Sequence, residues 1–126
     1  MHINDLFFAK LQTIIDFNLG NVHLHADTIA SAMGISKSTL NRKLKELDEP
    51  SINEFIREYR LQKSLVILSA GYTVRETSKR VGFKSPSYFT QCFKTRYQTT
   101  PVGFAKLRKW INSDCNWLNF DRQVVT

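Results

Sequence analysis

The feature that most constrains this 126-residue chain is an internal duplication. Ser36, Ser38, Leu40, Leu44 and Lys45 recur 49 positions later as Ser85, Ser87, Phe89, Phe93 and Lys94. A glycine stands ahead of each set, Gly34 in the first and Gly82 in the second. A glycine supplies the positive φ of a tight turn, and a following serine can accept a hydrogen bond from the first free N–H groups of a helix. Each copy therefore reads as short helix, turn, capped helix, and two copies are far more specific than one. Within the first copy, Ala30 is small enough for close helix contact and Leu40 fills the angle between the helices.

The remaining chain fits helices around this repeat. Asn4 to Asn18 is amphipathic, with Phe7, Phe8, Leu11, Ile14 and Ile15 at helical spacing, and Gly20 and Asn21 stop it. Asp27 to Met33 and Lys37 to Leu47 form the first pair. Ser51 can cap a longer helix from Ile52 to Ser69, which Gly71 ends. Val74 to Val81 and a helix running from Pro86, well suited to a first helical position, to Tyr97 form the second pair. A helix near Val102 to Ile111 and a tail with Trp110, Trp117 and Phe120 close the chain. No strand-like alternation appears. The expectation is an all-α fold of two helix-turn-helix subdomains joined by a long bridging helix, with an extra N-terminal helix. As a single domain over 1–126, it divides into a leading helix and first unit (4–48), a bridging helix (51–70), a second unit (73–111) and a tail (112–126).

Charge points to the partner. Lys and Arg number 18 against 11 Asp and Glu, a net charge of +7, which favours a polyanion. Between Glu76 and Asp114 there is no acidic residue, while Lys79, Arg80, Lys84, Lys94, Arg96, Lys106, Arg108 and Lys109 all occur. Charged residues interrupt every apolar stretch before it reaches the roughly 18 residues a membrane span needs, so membrane insertion is not expected. Cys92 and Cys115 lack C-x-x-C spacing and no secretory signal opens the chain, so a reducing, cytoplasmic setting is expected.

On a helical wheel with Leu40 and Leu44 inward, Ser38, Arg42 and Lys45 face out and Asn41 lies on the flank. With Phe89 and Phe93 inward, Ser87, Gln91 and Lys94 face out, flanked by Tyr88 and Thr90. A DNA major groove admits one helix, in which Arg can bond guanine and Asn or Gln can read adenine, work suited to Arg42, Asn41 and Gln91. Phosphates suit the capped helix starts at Ser36 and Ser85, helped by Lys37, Lys45, Lys84 and Lys94. A bridging helix of about 18 residues spans roughly 27 Å, enough to hold two readers about one duplex turn apart.

The stretches I-A-S-A-M-G-I-S-K-S-T-L-N-R-K-L at 29–44, E-F-I-R-E-Y-R-L at 54–61 and V-G-F-K-S-P-S-Y-F-T-Q-C-F-K at 81–94, with Pro101 downstream, resemble AraC/XylS-type transcriptional regulators. The leading helix and S-K-S-T-L-N-R-K-L-K are also similar to output domains of hybrid two-component sensors that switch on polysaccharide-use operons. The resemblance implies sequence-specific binding of double-stranded DNA, with bases read by Ser38, Thr39, Asn41 and Arg42, then Pro86, Ser87, Tyr88 and Gln91. Further partners on this reading are RNA polymerase and the sensor or receiver segments of a larger regulator. The sequence departs from the family pattern at Thr77 and Ser78, where an apolar residue and Ala are usual, and at Ser64, usually Ala. These predict looser packing in the second unit. A glycine usually follows the aromatic residue where this chain has Tyr97-Gln98, which predicts a different local turn.

Other chemistries fare poorly. His23 and His25 form an H-x-H pair without a Cys or carboxylate cluster, on a loop, which is a poor metal site. Cys92 beside Phe93 reads as a half-buried packing residue. No Ser-His-Asp or paired-carboxylate set can be placed, so no enzyme and no cofactor are expected. The competing readings are a basic helical module that grips an acidic protein and a non-specific nucleic-acid packaging protein. The latter leaves Arg42, Asn41 and Gln91 without a task.

Overall fold

The computed structural model describes residues 3–113, with side chains from 5 to 108. Cys115, Trp117 and Phe120, and the side chain of Trp110, lie outside the described residues. The order is α1 (Ile3–Phe17), α2 (Ala26–Met33), α3 (Lys37–Glu46), α4 (Ile52–Ser69), α5 (Val74–Arg80), α6 (Pro86–Tyr97) and α7 (Pro101–Ser113). The fold is all-α, and each helix lies within two residues of its expected span. α7 runs past Ile111 into the segment read as tail.

Two cores form, and α4 serves both. Its first half places Ile52 and Ile56 among Phe7, Leu11 and Ile15 of α1, Ile29 and Ala30 of α2, and Leu40 and Leu44 of α3. Its second half places Leu61 and Leu68 among Val81, Phe83, Phe89 and Phe93. Leu19, just after α1, packs against both clusters. Burying each large apolar side chain contributes about 1.5–3 kcal/mol. The short α2 and α5 hold their shape through this burial, since helices of such length are marginal alone.

Gly34 takes φ 74° at the end of α2, and its N–H donates to the Ala30 and Ser31 carbonyls. Gly82 takes φ 87° in the matching turn. Both serines cap as expected: Ser36 Oγ accepts from the Thr39 N–H at 3.1 Å and Ser85 Oγ from the Tyr88 N–H at 3.1 Å. Ser51 does not cap α4, although it occupies the capping position. The Ile52 N–H donates instead to Asn41 Oδ1 at 3.4 Å, so α3 supplies that partner from eleven residues upstream. Sequence proximity favoured Ser51; the packing of α3 on α4 decided otherwise.

The second core takes in Ser64, Thr77 and Ser78 at exposures of 0, 0 and 1%. Among the described residues, the buried Thr77 hydroxyl has no hydrogen-bond partner. One further expectation is corrected. The turn after Tyr97 keeps the left-handed conformation that suits glycine, with Gln98 adopting φ 61°. Its side chain returns to the chain, Nε2 donating to the Thr95 carbonyl at 3.0 Å.

Candidate nucleic-acid interface

The two recognition-like helices present polar faces as the wheel required. On α3, Lys37, Ser38, Arg42 and Lys45 are exposed while Leu40 and Leu44 are buried. On α6, Pro86, Ser87, Tyr88, Gln91 and Lys94 are exposed above buried Phe89 and Phe93, and Lys84 is exposed just ahead. Arg42 meets Glu46 at 3.9 Å with both side chains more than 60% exposed. Such a contact contributes well under about 1 kcal/mol, so the guanidinium is available to a better partner. Tyr88 sits edge-on to Phe83, with ring centroids 5.8 Å apart, which holds its phenol beside the start of α6.

Two of the sequence-selected readers are more engaged than the rest. Thr39 is half-buried and its Oγ1 accepts from the Ser36 hydroxyl at 2.9 Å. Asn41 is half-buried, with its oxygen on Ile52.

The structure adds a feature that the repeat did not reveal. A cleft of about 520 Å³ lies between the units, lined in part by His23 and His25, by Asn53, Arg57 and Arg60 of α4, and by Lys84 and Tyr88 at the α6 start. Among the described residues no acidic one lines it, whereas Glu54 and Glu58 line the adjacent groove between α4 and α6. Asn53, Arg57 and Arg60 recur at i, i+4 and i+7, one stripe of α4. That spacing was readable, but tracing the apolar positions of α4 passes over it. His25 meets Asp27 at 4.0 Å and Thr28 at 3.3 Å, and no cluster of metal-ligating residues occurs among the described residues.

Burial pushes Arg60 below its usual value, yet an arginine stays charged at neutral pH. Tyr59 is pushed up to about 12, first by burial and then by its hydrogen bond to the Asp16 carboxylate. No described helix is long and apolar enough to cross a membrane.

Residues 29–106, more than half of the chain, match the model of a helix-turn-helix domain family. The chain belongs to the AraC/XylS-type helix-turn-helix family. That family comprises DNA-binding transcriptional regulators and is not a class of enzymes. Histidine kinase P4 of Formosa agariphila is 32% identical over 100 residues, covering 79% of this chain and 7% of that protein. The chain thus spans a small part of that relative. A DNA-binding transcriptional dual regulator from Escherichia coli K-12 superposes with a TM-score of 0.74 at 26% identity, covering 80% of this chain and 90% of that one. The DNA-binding domain of AdpA, solved with a target DNA, shares the fold at a TM-score of 0.71 and 20% identity, over 79% of this chain and 89% of that one. Against this family, Gln98 and the Ser64, Thr77 and Ser78 hydroxyls are local variations that leave the shared fold intact.

Proposed function

We propose that this chain is the sequence-specific DNA-binding output module of a transcriptional regulator, inserting α3 and α6 into successive major-groove segments of one duplex. The observation that carries the reading is the pair of exposed polar faces, on two duplicated helices, in a family of DNA-binding regulators. Arg42 and Gln91 are the principal base readers, with Ser38 and Ser87 beside them, and Thr39, Pro86 and Tyr88 shape the helix starts. Asn41 contributes less, because bidentate reading of adenine needs the amide oxygen that already accepts from Ile52. Ser36, Lys37, Lys45, Lys84, Ser85 and Lys94 hold phosphates, and Arg57 in the cleft between the units joins them. The controlling signal comes from sensor or receiver segments outside this chain, and RNA polymerase is the partner at the promoter.

Selection of bound duplexes from a random pool, followed by affinity measurements, tests this. Arg42→Ala and Gln91→Ala are each expected to weaken binding about 5- to 150-fold and to relax the motif at different positions. Arg57→Ala is expected to leave the motif intact and lower the log–log salt slope by about 0.9. Unchanged affinity and motif in both reader variants refutes the assignment, and the absence of any enriched motif favours a protein-binding module.

A further inference from the structure

α4 crosses both units, but the helix alone is an incomplete spacer. The buried part of the first core ends on it at Ile56, with half-buried Tyr59 packed at its margin, and the second begins at Leu61, so the stretch around Arg60 is a waist. A single helix fixes distance there, while bending and rotation about the waist need a second strut to resist them.

That strut is the end of α1 and the loop after it. Arg60, only 9% exposed at the waist, donates from Nη2 to the Asn21 carbonyl at 2.7 Å. The same guanidinium lies against Gly82 in the turn of the second unit. A Cβ at Gly82 would overlap the Leu19 carbonyl oxygen and crowd Arg60, so main chain meets main chain across the seam. Gly20 faces the Arg80 and Lys79 carbonyls, and the Leu19 side chain enters both cores. Asp16 fastens α1 to α4 around this point, accepting from the Tyr59 hydroxyl at 2.8 Å and pairing with Lys63 at 3.7 Å. On another side, Arg96 of α6 donates to both oxygens of Glu58 at 2.9 and 3.0 Å. The joint is triangulated: α1 to α4, α4 to α6, and the Leu19–Asn21 loop to the second turn.

We propose that the Leu19–Asn21 loop, keyed into the second unit through Arg60 and Gly82, sets the distance and angle between the two readers, making Arg60 a positioning residue for spacing specificity. This rests on the two-reader function above. One added base pair displaces the second groove segment by about 3.4 Å and rotates it by about 36°. A joint held from three sides cannot follow, so the second reader loses its base contacts. A joint without its strut can follow.

The test measures affinity for the selected site and for versions with one base pair added or removed between its two segments, using the wild-type chain, Arg60→Met, Arg60→Lys and Leu19→Ala. Methionine keeps most of the buried volume and removes a buried charge, an exchange that folds tolerate, and the exposed Asn21 segment lets water replace the lost donor. Thermal unfolding confirms the folded state of each variant, and Leu19→Ala probes the strut independently of Arg60. The wild-type chain is expected to lose at least about tenfold affinity for either altered spacing. In Arg60→Met that penalty shrinks to within about threefold while both segment motifs persist, and Arg60→Lys, which retains a donor for Asn21, restores much of it. An undiminished penalty in folded Arg60→Met and Leu19→Ala overturns the proposal, as does an equal loss of affinity at every spacing. A wild-type selection yielding only one segment sinks the two-reader function and this inference together, an outcome distinct from two segments with unaltered spacing discrimination.

Discussion

The two units solve one geometric problem with different chemistry. In the first, Ile29, Ala30, Leu40 and Leu44 make an aliphatic core against α1. In the second, Phe89 and Phe93 stand at the leucine positions, continuing a chain of rings from Phe83 to Tyr97 and Phe104, and Thr77 and Ser78 face them where Ile29 and Ala30 stand in the first. Larger rings on the recognition helix meet smaller, hydroxylated residues on its partner, and both cores close. The start of each first helix differs too. α5 carries a full capping box, with Thr73 and Glu76 exchanging hydrogen bonds, while α2 begins at His25 with no side-chain cap. Those bonds to Thr73 hold the Glu76 carboxyl below its usual range. The motif thus prescribes volumes, a glycine turn and a serine cap, and leaves residue type open.

Exchanging residues between the units sharpens this contrast. The largest effect is expected from Ile29→Thr, which brings the second unit's hydroxyl opposite a recognition helix that carries leucines, not phenylalanines, to fill the space. It should cost about 2–3 kcal/mol, read from urea unfolding. A cost below about 1 kcal/mol would mean that the aliphatic core is as permissive as the aromatic one. The reverse change, Thr77→Val, removes the orphan hydroxyl at nearly constant volume and should stabilise by about 1–2 kcal/mol. A loss on that substitution would show that the hydroxyl has a partner. The smallest effect belongs to the helix ends. α3 is followed by Asp48 at φ 58° and α6 by Gln98 at φ 61°. Gln98→Gly should raise the melting temperature by a few degrees, equivalent to about 0.5–1 kcal/mol, and Asp48→Gly by less, because Asp tolerates this conformation better. Equal responses would erase the distinction between the two ends.

Legibility followed the range of the interaction. Helix spans, the Gly34 and Gly82 turns and the Ser36 and Ser85 caps depend on neighbours within about four residues, and sequence spacing reveals them. The outward faces of α3 and α6 follow from the same periodicity. Asn41 capping α4, Arg60 reaching Asn21, and Gly82 against Leu19 depend on how elements dock, and no local pattern encodes that. The serine at position 51 was a sound local choice that lost to a tertiary partner. Gln98 shows the converse: a residue unsuited to its conformation is carried there by the helices on either side.

The shared use of α4 bears on how such regulators can be recombined. Because one half of this helix completes the first core and the other half the second, a crossover placed inside it hands each offspring a mismatched wall. Grafts that transplant half of the protein must therefore carry the whole rod along with one parent and rebuild the opposite core to suit it.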